Sequence, residues 1–203
     1  MHHEKLKGFV EALDLKRMTL VCQDWGGLLG LPLAAELPER FSRLVIMNTG
    51  LPNGEENIQE AFLAWREFAR TVEDMPVGMI IERTLTAADP AVIAAYEAPF
   101  PGPEYKAGAA VFPLLVPISP EDPAAGPMRE ARERLAKWKK PVLVMFSDGD
   151  PITRGGDRFF RKLIPAAAEE AEVTIEGGGH FLQEDKGEEI AERINDFIAR
   201  RPV

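Results

Sequence analysis

The sequence has little cysteine and little histidine, with one cysteine and three histidines in 203 residues. A single thiol excludes an internal disulfide framework and is typical of a reducing compartment, so we predict a cytoplasmic protein. Cys22 lies inside an apolar, strand-like run, which favours a buried, inert thiol over a nucleophile.

Positive charge and long apolar runs are also scarce. The formal net charge is -9 and the only compact basic run is Lys137–Lys140, which argues against nucleic acid or an anionic membrane as a partner. Residues 1–7 contain no apolar signal-peptide core, and the longest apolar stretches, such as residues 109–118, are short and interrupted by proline. We therefore predict no transmembrane segment.

What is present is an alternation of helix and strand patterns. Apolar positions recur at helical spacing over residues 6–13, and a continuous apolar run covers residues 18–22. A second helical segment begins at Gly26-Gly27, and another apolar run covers residues 43–48. Continuous apolar runs are typical of strands covered on both faces, and two such strands flanking a helix form a βαβ unit.

The same alternation returns towards the carboxyl end of the chain. Strands are predicted at residues 140–146 and 172–175, with a helix at 155–163 between them and a final amphipathic helix after the glycines at 177–179. The middle of the chain carries most of the prolines and no convincing strand, so we predict a helical insertion there. The predicted division is an α/β core formed by residues 1–50 and 136–203, with a cap at residues 51–135.

Reactive side chains follow three of the predicted strands. Asp24 and Trp25 come after the first strand, Asp148 and Asp150 after the third, and His180 after the last. In open parallel sheets, ligands bind outside the carboxyl ends of the strands. We therefore expect these side chains to share one edge of the sheet.

Asp24 stands where a nucleophile is expected. The G-x-S-x-G elbow of α/β-hydrolases presents serine at a tight strand-to-helix turn, and Asp24 occupies that apex here. An ionised carboxylate can displace a leaving group from an alkyl carbon and form an ester. His180 would then direct water at the ester, with Asp150 orienting the imidazole. The simpler alternatives are a helix cap for Asp24 and a turn residue for Asp150, with Asp148 as the second candidate acid.

Trp25 suits an anion that forms in an apolar pocket, such as a departing halide, because the indole N–H donates and never accepts. The chain resembles the haloalkane dehalogenases. Residues 23–27, Gln-Asp-Trp-Gly-Gly, which include Trp25, match that family's nucleophile motif. The similarity extends over essentially the whole chain and is clear at residues 38–41, 44–48, 95–101 and 179–184. It implies an α/β-hydrolase that converts a small halogenated alkane and water to an alcohol, a halide and a proton, without a metal or an organic cofactor.

The resemblance also implies the roles of further residues. Residues 62–65 match the cap segment in which a second tryptophan donates to the halide, so Trp65 is the expected partner of Trp25. The match of residues 150–152 to the family's acid loop favours Asp150 over Asp148. Ordinary core packing is the alternative for Trp65 and for the expected apolar pocket residues, which are Leu28, Phe62, Phe112 and Phe181.

The family's amino-terminal strands have no counterpart in this sequence. Such hydrolases carry several strands before the nucleophile strand, whereas this chain begins with a mid-domain helix. We therefore expect the carboxyl-terminal part of a mostly parallel sheet with helices on both faces, and we hypothesise a truncated product with impaired activity. Residues 18–23 would then form an exposed apolar edge that favours self-association.

Two other functions stay open at this point. An epoxide hydrolase shares the Asp-Trp-Gly-Gly elbow, but its chemistry needs two cap tyrosines, and the chain has only Tyr96 and Tyr105. The alternative from a different class is an inactive fragment, or a module that works when a separate chain completes the sheet.

Overall fold

Four parallel strands form one sheet in a computed structural model, which describes residues 1–202. Each strand pairs with the next one along the chain, so the spatial order equals the sequence order. Parallel neighbours need a crossover connection, which helices provide here. The strands are β1 (Met18–Gln23), β2 (Phe41–Met47), β3 (Val142–Ser147) and β4 (Val173–Ile175).

Ten α-helices surround or extend this sheet within residues 1–202. α1 precedes β1, α2 connects β1 to β2, α8 connects β3 to β4, and α9 and α10 follow β4. Every helix and strand predicted from the sequence is present, with ends that differ by a few residues. The helices are α1 (His2–Ala12), α2 (Trp25–Glu36), α3 (Glu60–Thr71), α4 (Val77–Thr84), α5 (Pro90–Glu97), α6 (Ala107–Leu115), α7 (Ala125–Leu135), α8 (Gly156–Leu163), α9 (Leu182–Asp185) and α10 (Gly187–Arg200).

The sheet separates two apolar clusters, and β2 contributes alternate side chains to both. Leu44 and Ile46 belong to the cluster that includes α2, α7 and α8, whereas Val45 and Met47 belong to the cluster that includes α10. All seven residues of β2 are buried. The two-residue period of a strand sends successive side chains to opposite faces, so the continuous apolar run reflects cover on both sides, as predicted.

Five helices, α3 to α7, lie between β2 and β3, and no strand occurs between residues 48 and 141. This agrees with the predicted helical insertion. α7 also packs against α2, and three of its four buried side chains belong to the larger apolar cluster. The insertion therefore contributes to the core as well as to the cap, and the division at residues 50/51 and 135/136 stays a proposal. The buried side chains of α7 are Ala125, Met128, Ala131 and Leu135.

β1 forms one edge of the sheet in the described part of the chain, since its one strand neighbour there is β2. Val21 on this strand is 45% exposed, which is unusual for an apolar strand residue. A free strand edge offers unpaired N–H and C=O groups to another chain. None of the helices in residues 1–202 has the length and apolar character that crossing a membrane requires.

Candidate active site

Asp24 lies at the turn between β1 and α2, in a backbone conformation that few residues adopt. Its φ of 47° falls in the left-handed region, where a side chain causes strain. The Asp24 N–H donates to the carbonyl oxygen of Asn48 (2.9 Å), and the hydroxyl of Thr49 donates to the carbonyl oxygen of Asp24 (2.6 Å). The loop after β2 therefore holds the strained turn in place.

Gly27 allows this loop to approach α2 closely. A Cβ atom at position 27 would lie 2.1 Å from Oγ1 of Thr49, the atom that bonds to Asp24. Real Cβ atoms do not come so near to another heavy atom, so the second glycine of the motif is required by the packing of the turn.

The imidazole of His180 lies between two carboxylates. Its Nδ1 is 3.0 Å from Oδ2 of Asp150, and its Nε2 is 3.7 Å from Oδ1 of Asp24. A carboxylate only accepts, so the bond to Asp150 places the proton on Nδ1 and leaves Nε2 as an acceptor. Asp150 is 2% exposed, and its oxygens also accept from the Ile152 N–H (2.8 Å) and the Thr153 hydroxyl (2.5 Å).

These contacts shift all three pKa values. Burial raises the pKa of Asp24 above its ordinary value, although the nearby His180 and the Trp25 N–H oppose the shift. Burial would lower the pKa of His180, but the hydrogen bond and negative charge of Asp150, together with Asp24, raise it overall. Burial would raise the pKa of Asp150, but His180, Thr153 and the backbone N–H of residue 152 lower it. Asp150 therefore stays ionised and stabilises a protonated His180.

Asp148, the second candidate acid, lies in a different environment. Its Oδ1 accepts from the N–H of Gly177 (2.9 Å) and so supports the loop that leads to His180. The structure thus brings Asp150, and not Asp148, to the imidazole.

Asn48 was not predicted from the sequence, although it forms the most connected side chain of the site. It is fully buried, and its Nδ2 donates to Oγ of Ser147 (2.7 Å) and to the carbonyl oxygens of Gly179 (3.0 Å) and His180 (3.2 Å). Its Oδ1 accepts from the Ser147 N–H (2.9 Å). Asn48 therefore connects the ends of β2 and β3 to the histidine. The sequence signal would have been a polar residue directly after a continuous apolar strand.

Gln23, the last residue of β1, gives a second support that the sequence did not reveal. Its Nε2 donates to the carbonyl oxygen of His180 (3.1 Å) and lies 3.4 Å from Nε2 of the same imidazole. The residues on both sides of the Asp24 turn, Gln23 and Trp25, thus face the site.

The two predicted halide donors, Trp25 and Trp65, line the same cavity as Asp24. The Trp25 ring meets the edge of Phe112 (centroids 4.6 Å apart), and the Trp65 ring stacks on Phe68 (5.8 Å). Within residues 1–202, neither indole N–H donates to a protein acceptor, and neither belongs to the buried polar atoms that lack a partner. The described part of the protein therefore engages neither N–H group, each of which can only donate.

The cavity itself has a volume of about 840 Å³ and lies between the sheet edge and the cap. Its lining is mostly apolar, whereas Asp24 and His180 supply polar groups at the sheet side. Such a combination is typical of sites for small organic molecules. Asp150 stays behind the imidazole and does not line the cavity. All four expected pocket residues do line it: Leu28, Phe62, Phe112 and Phe181.

Comparison with known proteins places these observations in a family. The model of the alpha/beta hydrolase family matches residues 3–193. A haloalkane dehalogenase of Psychrobacter cryohalolentis is 48% identical over 202 residues, which cover 99% of this chain and 67% of the relative. A haloalkane dehalogenase of Mycobacterium marinum is 45% identical over 194 residues, which cover 95% of this chain and 65% of the relative.

A solved structure shows the same likeness in three dimensions. The tetrameric haloalkane dehalogenase of Paraglaciecola agarilytica superimposes with a TM-score of 0.87 at 33% identity, covering 95% of this chain and 64% of the other. This chain thus spans about two thirds of the length of the relatives that it matches.

Proposed function

This chain belongs to the α/β-hydrolase family and, within it, to the haloalkane dehalogenases, and we propose that it hydrolyses carbon–halogen bonds through an ester on Asp24. One observation carries the proposal. The Asp24 carboxylate lies 3.7 Å from Nε2 of His180, whose Nδ1 is 3.0 Å from Asp150, beside an apolar cavity that Trp25 and Trp65 also line.

In the first step, a carboxylate oxygen of Asp24 attacks the carbon that bears the halogen. A carbon–oxygen bond forms, the carbon–halogen bond breaks, and the halide leaves with the bonding electrons. Trp25 and Trp65 donate their indole N–H groups to the emerging anion, which has few other partners in an apolar cavity.

In the second step, Nε2 of His180 takes a proton from water, and the hydroxide attacks the ester carbon of Asp24. The ester bond breaks, and the product alcohol leaves. Asp150 stabilises the imidazolium until its proton passes to solvent, so a haloalkane and water yield an alcohol, a halide and a proton. The Trp25 backbone N–H, which bonds to the Asp24 carboxylate, supports the charge that develops there.

The tyrosines argue against the epoxide hydrolase alternative. The Tyr96 hydroxyl donates to Glu184 (2.7 Å), Tyr105 is 58% exposed, and neither residue lines the cavity. Two tyrosines facing an epoxide oxygen are therefore not part of this site.

We also propose a substrate class, a cellular compartment and a surface for association with another chain. The substrates are small halogenated alkanes, because the lining offers apolar side chains and few polar contacts. The compartment is the cytoplasm, where a lone buried thiol such as Cys22 stays reduced. The β1 edge is a surface for self-association, or for a complementing chain that completes the sheet.

The test is bromide release from 1,2-dibromoethane by the chain as given, compared with Asp24→Asn. We expect the wild-type chain to release bromide, whereas Asp24→Asn stays at the background rate. Asp148→Asn is the matched control, because asparagine keeps the Oδ1 that accepts from the Gly177 N–H and the acid bonded to His180 is Asp150. Ring opening of styrene oxide without bromide release would reverse the assignment. A folded chain without either activity would favour the inactive module, which size measurement with a complementing chain would then test.

A further inference from the structure

The cap meets the segment that carries His180 at one carboxylate, Asp185, the last residue of α9. Oδ1 of Asp185 accepts from the N–H (2.9 Å) and the hydroxyl (2.7 Å) of Thr86, which follows α4 in the cap. Oδ2 of the same residue accepts from the N–H of Gly179 (2.7 Å), the residue before His180. One side chain therefore bonds at once to the cap and to the backbone beside the histidine.

The fit around Gly179 shows how closely these two segments pack. A Cβ atom at this position would lie 2.4 Å from the carbonyl oxygen of Thr84, the last residue of α4. Any side chain at position 179 would therefore separate α4 from the histidine segment. The end of α4 and the backbone before His180 are in direct contact, and Asp185 is the polar bridge across that contact.

A second cap contact lies nearby but does not reach the histidine backbone. Tyr96 of α5 donates to Glu184 (2.7 Å), and its ring lies 6.1 Å from that of Phe181. Neither of these contacts includes Gly179. Asp185 differs because its two oxygens have different partners.

We infer that Asp185 is a positioning residue that makes the placement of His180 depend on the seating of the cap. The inference rests on the proposed role of His180 as the base. Asn48 holds the carbonyl oxygens of residues 179 and 180 from the sheet side, and Asp185 holds the N–H of Gly179 from the cap side. When the cap moves away, Oδ1 loses both donors of Thr86, and the side chain can rotate away from Gly179.

The coupling acts on the second step of the reaction. Ester formation needs Asp24 and the tryptophans, whereas ester hydrolysis needs His180 at its place. Bonds to an ionised acceptor are the strong class of hydrogen bond, so three of them on one carboxylate hold the segment firmly. Water is thus activated efficiently when the cap covers the cavity.

The deciding experiment compares Thr86→Val, Asp185→Asn and Thr71→Val with the wild-type chain by nuclear magnetic resonance. Thr71→Val is the matched control, because the Thr71 hydroxyl donates within α3 to the carbonyl oxygen of Glu67 (2.9 Å) and not to the core. The readouts are hydrogen exchange of the Gly179 amide and the downfield resonance of the His180 Nδ1 proton. Neither readout requires catalysis.

We expect the Gly179 amide to exchange about tenfold faster in Asp185→Asn and about threefold faster in Thr86→Val, which keeps one backbone donor. The His180 proton should broaden in both variants and stay unchanged in Thr71→Val. An unchanged Gly179 amide and His180 proton in Thr86→Val would overturn the coupling, since Asp185 would then act within its own segment. Equal changes in all three variants would also overturn it, because they would indicate general loosening.

A kinetic arm links the coupling to the reaction. In single-turnover experiments with a bromoalkane, Thr86→Val and Asp185→Asn should slow ester hydrolysis and leave ester formation within about twofold. An equal decrease in the rates of ester formation and ester hydrolysis would contradict the inference. If the wild-type chain forms no ester, the proposed function fails for this chain, and the resonance measurements still decide whether Asp185 couples the cap to His180.

Discussion

The sheet edge and the cap are held by different kinds of contact. At the sheet edge, Asn48 and Asp150 are almost completely buried and bonded through their polar atoms. In the cap, apolar side chains such as Leu63 (41%) and Val111 (42%) are well exposed, and the polar links to the core, such as that of Thr86, lie at the surface. The comparison teaches that the proposed chemistry is built on the buried, hydrogen-bonded region, whereas the more exposed region covers the cavity.

Replacing Asp150, the proposed acid of the sheet-edge region, should have the largest effect on the rate. Asp150→Asn keeps the shape of the side chain but removes the charge that stabilises protonated His180, so kcat should fall by about 10⁴-fold. Because ester formation does not need the acid, the esterified chain should accumulate and be visible by intact mass. Asp148→Asn is the control and should release bromide like the wild type. Equal activity of the two variants would contradict the assignment of the acid.

Replacing Asn48, which forms several hydrogen bonds in the same region, should lower the stability of the protein. Asn48→Ala leaves several buried partners without a hydrogen bond, so the free energy of unfolding should decrease by roughly 3 kcal/mol. Urea denaturation measures this loss. Thr71→Ala in the cap removes an exposed hydroxyl that bonds to backbone carbonyls and should change stability by about 0.5 kcal/mol or less. Similar decreases in the free energy of unfolding at the two positions would show that the two regions tolerate the loss of a hydrogen-bonding side chain equally well.

Changing the cap at its proposed halide donor should act on the first step. Trp65→Phe keeps the stacking on Phe68 but removes the N–H group, so ester formation should slow by about 10²-fold. Stopped-flow quenching of tryptophan fluorescence by bromide would report the weaker anion binding. Trp138→Phe is the control, because Trp138 is buried elsewhere in the core. If Trp65→Phe binds bromide as the wild type does, Trp65 only fills space between cap and sheet.

The pH dependence of ester hydrolysis should show a smaller effect of the same sheet-edge region. His180 must be neutral to accept a proton, and its pKa is raised, largely by Asp150. The rate of ester hydrolysis should therefore rise with pH through a pKa above the ordinary histidine value of about 6.5. Asp150→Asn should move this limb to lower pH, because the charge that stabilises the imidazolium is gone. If the rate rises at the same pH in both chains, Asp150 does not set the pKa of His180.

Much of the fold was predictable because it depends on local patterns. The apolar runs of β1 and β2 and the glycines after Asp24 identified the sheet and its turn, and the loops after the strands identified the groups that meet at its edge. The position of His180 beside Asp24 follows from the parallel topology, since parallel strands end at one edge.

The supporting contacts were not predictable because they join residues far apart in sequence. The bond from Asn48 to Gly179 spans 131 positions, and that from Thr86 to Asp185 spans 99. Both depend on side-chain directions that no period in the sequence encodes. The packing of α7 on α2 was missed for the same reason, as its apolar residues fit a cap helix equally well.

The central claim is that Asp24 carries the ester, and a single turnover in heavy-oxygen water tests it most directly. The chain is held in excess over a bromoalkane, and the peptide that contains Asp24 is then weighed. Because hydroxide attacks the carbonyl carbon of the ester, the account predicts that the label enters the Asp24 carboxyl group while the first alcohol released stays unlabelled. Label in the alcohol and none in Asp24 would mean that water attacks the substrate directly, which would contradict the account.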